Sequence, residues 1–225
     1  MSLPFNSLAH MLEQGNVLQV RQLFAELTAQ EQERAAGLAL ALGRPTLALD
    51  WSRDPLTRAA AQLRLGRAHE ALNTLQAEPA TARPAALRAR AQWQLGQLTL
   101  EGSLAVLHLA RQEGDAGAII ALATLRGEQQ LHAPFAALRS LAEGLKVAEL
   151  TGHSADPHLL AVLAHAQLRA GGLSKGTRSA EKALERSAPC SPACLIALLA
   201  LRRPDEAQAT AQAGELGEVW ARPFS

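Results

Sequence analysis

The sequence predicts an all-α protein: a right-handed α-solenoid of about seven stacked antiparallel helical hairpins. Three observations predict it. Ala, Leu, Gln, Glu and Arg dominate while Val and Ile are scarce, and apolar and polar residues nowhere alternate over the length of a strand. Proline and glycine recur at short intervals, proline in helix-opening settings and glycine in helix-closing ones. A short pattern ending in glycine repeats without gaps along the chain.

The pattern places helices at 7–14, 17–27, 29–42, 45–52, 55–65, 67–77, 84–95, 98–112, 115–126, 133–150, 157–170, 174–187, 192–201 and 204–212. Arg44-Pro45, Asp54-Pro55, Arg83-Pro84, Asp156-Pro157 and Ser191-Pro192 open helices, because proline's missing N–H would find no partner in a first turn. Asp54, Asp156 and Ser191 offer N-cap oxygens directly before those prolines. Gly15, Gly43, Gly66, Gly96, Gly127, Gly152 and Gly171 are expected to close segments in a left-handed C-cap.

The repeat reads Ala59-Ala60-Ala61-Gln62-Leu63-Arg64-Leu65-Gly66, then Ala89-Arg90-Ala91-Gln92-Trp93-Gln94-Leu95-Gly96, then Ala164-His165-Ala166-Gln167-Leu168-Arg169-Ala170-Gly171. Ala36 to Gly43 is a weaker copy, and Ala110 to Asp115 resembles Ala148 to His153 in a second register. The small residue at the head of each copy lets two helices cross closely, and the glycine reverses the chain. Ala48 and Ala71, just after the turn, admit the returning helix. One hairpin cannot cover its own apolar face, so hairpins must stack, with their first helices lining a concave side.

Leu160 to Pro189 resembles a tetratricopeptide repeat through Leu160, Leu163, Ala164, Gly171, Ala180, Ala183 and Pro189. Arg67-Ala68-His69-Glu70-Ala71-Leu72 resembles that motif's second helix. The likeness covers about two thirds of the chain and is divergent. Gln62, Gln92 and Gln167 stand where the motif carries an aromatic, Gly176 replaces an alanine, and the turn glycines are unevenly spaced. Members of that family mostly bind peptides or proteins along the concave groove. The resemblance therefore implies a non-enzymatic adaptor or scaffold. The second register also resembles repeats in the helical arms of large bacterial transcriptional activators, which implies a ligand-sensing or effector module as the alternative.

Composition narrows the partners. Hydrophobic residues are 48% of 225, enough for a sizeable core. A net charge of +1 gives no general attraction to nucleic acid or to an anionic membrane, and 3% aromatics supply no base-stacking platform. The first residues lack a basic start before an apolar run, and no stretch is long and apolar enough to span a bilayer, so a cytoplasmic protein is expected.

No catalytic arrangement, metal-ligand spacing or cofactor motif appears. His158 and His165 share a helix face without a neighbouring carboxylate in the sequence, and histidines here are expected on the surface or in the groove. Cys190 and Cys194 straddle a helix start and read as core residues. Gly171-Gly172-Leu173-Ser174-Lys175 lacks the spacing of a phosphate loop. The groove remains. In the resembled family's arrangement, Arg64, Arg90, Gln94, His165 and Arg169 face the concave surface, where they would grip an acidic segment of another protein.

The chain reads as one domain, 1–225. The segment from Ala193 to Leu201 is apolar nearly all round and needs covering. Residues 204–225, with Leu216, Val219, Trp220 and Phe224, would cap it. Without that fold-back, the surface becomes a homodimer interface.

Overall fold

A computed structural model describes residues 3–13, 17–42, 44–151, 156–216, 220, 221 and 224. Among them there is no strand. The helices are α1 (Leu3–Glu13), α2 (Val17–Ala25), α3 (Ala29–Ala41), α4 (Pro45–Trp51), α5 (Pro55–Arg64), α6 (Ala68–Thr74), α7 (Ala82–Gln94), α8 (Leu100–Gln112), α9 (Ala116–Gln129), α10 (Pro134–Leu150), α11 (Pro157–Arg169), α12 (Leu173–Arg186), α13 (Pro192–Ala200) and α14 (Pro204–Ala213). None of them is long and apolar enough to cross a membrane.

The punctuation works as the residue types dictate. Asp54 accepts from the Thr57 amide, Asp156 from His158 and Leu159, and Ser191 from Cys194. Thr28 and Glu31 form a reciprocal capping box on α3. Gly66, Gly96 and Gly171 have positive φ, and the next amide bonds back to the carbonyl of Gln62, Gln92 or Gln167. Gly15, Gly43 and Gly152 lie outside the described residues. Gly127 departs from expectation: it sits inside α9, not at its end. A Cβ there would meet Leu141 Cδ2 at 2.6 Å, so this glycine serves close packing of α9 on α10.

Consecutive helices pack from α3 to α14, and α1 packs on α2. Each odd-numbered helix also packs on the next odd one, from α1 through α13, making one continuous row. Small residues carry these contacts. Ala36, Ala48, Ala59, Ala71 and Ala164 have no exposed surface, and Ala89 has 2%. Gln62 Oε1 accepts from Thr74 Oγ1 at 2.9 Å, and Gln167 Oε1 accepts from Ser179 Oγ at 2.8 Å, so two hairpins are clipped at the same sequence spacing.

The apolar helix α13 is buried. Ala207 of α14, Trp220 and Phe224 join its cluster, with Leu216 packed against it; Val219 lies outside the described residues. Cys194 is buried and Cys190 partly buried, both free, and Cys190 turns the chain with φ 57°.

Gly176 explains one departure from the tetratricopeptide pattern. A Cβ there would lie 2.5 Å from Leu168 Cγ and 3.1 Å from the Ala164 carbonyl oxygen. Gly176→Val should therefore destabilise the protein by about 1–3 kcal/mol in chemical denaturation. Gly37, inside α3 with nothing within 4 Å of an added Cβ, is the control. Gly37→Ala should stabilise by about 0.5–1 kcal/mol through helix propensity alone.

Candidate functional site

The odd-numbered helices enclose a cavity of about 550 Å³. Its walls are Gly37, Leu40 and Ala41 from α3, Thr57, Ala60 and Arg64 from α5, and Arg83, Ala86, Leu87, Arg90, Trp93 and Gln94 from α7. Opposite stand the start of α9 with Asp115, then Ile120 and Thr124, and the start of α11 with Asp156 and His158. Most of the wall is small or aliphatic, with charge concentrated at its α5, α7 and α11 edges.

The structure brings Arg64, Arg90 and Gln94 together here. Arg64 is already committed. Its Nη2 lies 2.7 Å from Asp156 Oδ2, with side chains 20% and 10% exposed, and its Nη1 donates to the Leu40 carbonyl. This pair ties α5 to the N-terminus of α11, elements remote in sequence. Arg90 is different. It is half-buried, and no hydrogen bond or ion pair among the described residues engages its guanidinium. Burial lowers its pKa; Asp156, Asp115 and Glu128 support the charge and Arg64 opposes it. The guanidinium stays protonated at neutral pH. One turn on, Gln94 Oε1 is buried with no donor. An uncommitted cation and an uncommitted acceptor thus sit on one helix edge.

His165 and Arg169 do not line the cavity. His165 is buried at 6% exposure, its Nε2 3.0 Å from the Ile196 carbonyl and its ring 4.6 Å from that of Phe224. It belongs to the odd-helix face, but α13 and the C-terminal residues cover it there. Arg169 ends α11 and is exposed. Sequence reasoning missed Arg83, Asp115 and Asp156 as wall residues, Asp156 being legible only as a cap. It also found no carboxylate for His158, whereas Glu128 of α9 places Oε1 2.7 Å from His158 Nε2. Glu128 is buried, so this bond gives its carboxyl group the partner that burial demands.

Two predictions follow from the buried charges. Burial raises the Asp156 pKa, but Arg64, His158, Arg90 and the His158 amide lower it more, leaving it below the ordinary 3.8. A carboxylate depressed on folding stabilises above its unfolded value and loses that contribution as pH falls. Asp156→Asn keeps the cap and should cost about 2–4 kcal/mol at pH 7. The gap from wild type should close as pH drops below 3.8, measured by urea unfolding across pH.

His165 is held at about 4, lowered from 6.5 mainly by burial, with the Ile196 bond opposing and Arg169 adding. The unfolded chain takes up the proton first as pH falls, so wild-type stability should decline by roughly 3 kcal/mol between pH 6.5 and 4. His165→Leu should flatten that stretch of the curve.

No protein-family model matches the chain, and no curated protein matches it in sequence.

Proposed function

We propose that the chain is a divergent tetratricopeptide-like helical-repeat protein, a right-handed α-solenoid of stacked hairpins. In this reading it binds an acidic segment of another protein or peptide on its odd-helix face, without catalysing a reaction, in the cytoplasm. One observation carries the reading: Arg90 lines a walled cavity with its charge uncommitted, one turn from the uncommitted Gln94 oxygen. A half-buried guanidinium that no carboxylate pairs is open to a carboxylate delivered by a ligand, which would engage it with forked hydrogen bonds. Gln94 would accept an N–H from the same ligand. The continuous row of odd helices and the recurring Gln clips support the repeat architecture.

Arg64 is not part of the grip, because its charge is spent on Asp156. Arg169 and His165 also stand apart from the cavity.

A second reading has its own observation. A cavity of about 550 Å³ falls in the range typical of small-ligand sites, which fits a sensor or effector module of a regulatory system.

Affinity capture from the native cell's lysate, with wild type and Arg90→Glu side by side, tests the first reading. The variant should lose at least ten-fold of the captured partner, and because the new carboxylate stands near Asp156, Asp115 and Glu128, a cooperative helical melt and an Arg90→Gln variant with the same loss separate the grip from a loss of folding. Equal capture by both would discard the role of Arg90 as the grip. Thermal-shift screening with metabolites tests the second: a small ligand at roughly 100 times its Kd should add about 2.7 kcal/mol of stability.

A further inference from the structure

Arg83, Ala86, Leu87, Arg90, Trp93 and Gln94 of α7 all line the cavity, and their spacing makes them one stripe of that helix. Three of them carry polar groups that nothing among the described residues engages. Arg90 and Gln94 Oε1 are two. Arg83 is the third: it is exposed at the cavity rim, and no hydrogen bond or ion pair among the described residues holds its guanidinium. Its charge reaches Asp54 only as the least of several influences there. Other arginines of α5 and α7 are spent on the fold, Arg58, Arg64 and Arg88 each donating to backbone carbonyls.

The order along the stripe is specific. Arg83 and Arg90 are seven residues apart, about 10 Å along the helix axis, with Ala86 and Leu87 between them. Gln94 follows Arg90 by one turn. The sequence of groups is therefore cation, apolar stretch, cation, acceptor. The wall also carries Asp115 and Asp156, both near enough to Arg90 to support its charge. Two carboxylates in the wall disfavour a plain dianion and favour a ligand that brings an ammonium group with its acids.

We propose that the cavity binds a free acidic α-amino acid: its α-carboxylate on Arg90, its α-ammonium on Gln94 Oε1, its side-chain carboxylate on Arg83, and its methylenes along Ala86 and Leu87. Each unengaged group then has one partner, and two of the contacts are charge-assisted and forked. A cavity of about 550 Å³ admits a molecule of this size. The inference rests on the reading of this cavity as a small-ligand site, and it names the ligand class.

Isothermal titration of the full-length chain tests it with L-glutamate, L-2-aminoadipate and L-2-aminopimelate, which differ only in methylene count. At least one should bind about ten-fold or more tightly than L-norleucine, which lacks the second acid, and than adipate, which lacks the ammonium. The gap to norleucine should close in Arg83→Gln, and the gap to adipate in Gln94→Leu. Arg90→Gln should weaken every ligand. No binding by the three amino diacids, or binding no tighter than norleucine or adipate, overturns the proposal, and those wild-type comparisons need no variant to fold. Gaps that persist in both Arg83→Gln and Gln94→Leu overturn it too. Failure here is separable from failure of the small-ligand reading: another metabolite that stabilises wild type but not Arg90→Gln would keep the site and discard only the amino diacid.

Discussion

The structure depends on how closely two helix backbones are allowed to approach. At the hairpin crossings stand Ala59, Ala71, Ala164 and Ala180, all without exposed surface, and at the tightest points Gly127, Gly144 and Gly176. For Gly144, even a methyl group would meet Ala123 Cβ at 2.9 Å. Close approach gives each buried atom many neighbours, which compensates for the little apolar surface that an alanine contributes. It also leaves no room for an aromatic between paired helices. Gln62 and Gln167 occupy that position instead, and each clips its hairpin by accepting a hydroxyl hydrogen bond from the facing helix. Gln92 has no such clip, because position 104, at the matching spacing, is a leucine.

Close packing along the odd row also decides where charge can go. Arg64, Arg90, Asp115, Glu128, Asp156 and His158 are drawn into one region, although they come from four helices and their caps. A buried charge is tolerated when it is paired: Arg64 pairs with Asp156, and the His158 ring hydrogen-bonds the Glu128 carboxyl group. Each joins elements far apart in sequence, so the polar interior holds α5 to α11 and α9 to α11 where alanine packing alone would specify little. Asp156 is used twice, as the N-cap of α11 and as the partner of Arg64, which anchors the carboxylate from both sides.

The helices and their ends were legible in the sequence because their causes are local. A capping oxygen before a proline, or a glycine where φ must be positive, acts within a few residues. The exceptions have tertiary causes: Gly127 resembles a terminator but is a packing residue, because the reason for it, Leu141, lies on another helix. The same boundary divides the candidate site. Arg90 and Gln94 could be placed on the concave edge by their register before the turn glycine. That Arg64, in the equivalent register, would be consumed by Asp156 depends on a contact no local pattern encodes. His165 shows the limit most clearly. Its helix face was readable, but its cover, Phe224, arrives from a segment three helices further along the chain.

What singles out Arg90 is therefore a comparison within one molecule. Arg64 and Arg90 sit on neighbouring helices of the same row, near the same carboxylates, and only the first makes an ion pair. Asp115 makes no ion pair with the second; its Oδ1 accepts the Ala118 amide to cap α9 at 2.6 Å. Glu128 is likewise engaged by His158. Each nearby carboxylate has structural work elsewhere, so the protein leaves one cation underpaired in a partly apolar enclosure. Arg64 is paired and Arg90 is not, and on that difference between two arginines of one row, with the unbonded Gln94 oxygen beside the second, the proposed binding of an external carboxylate rests.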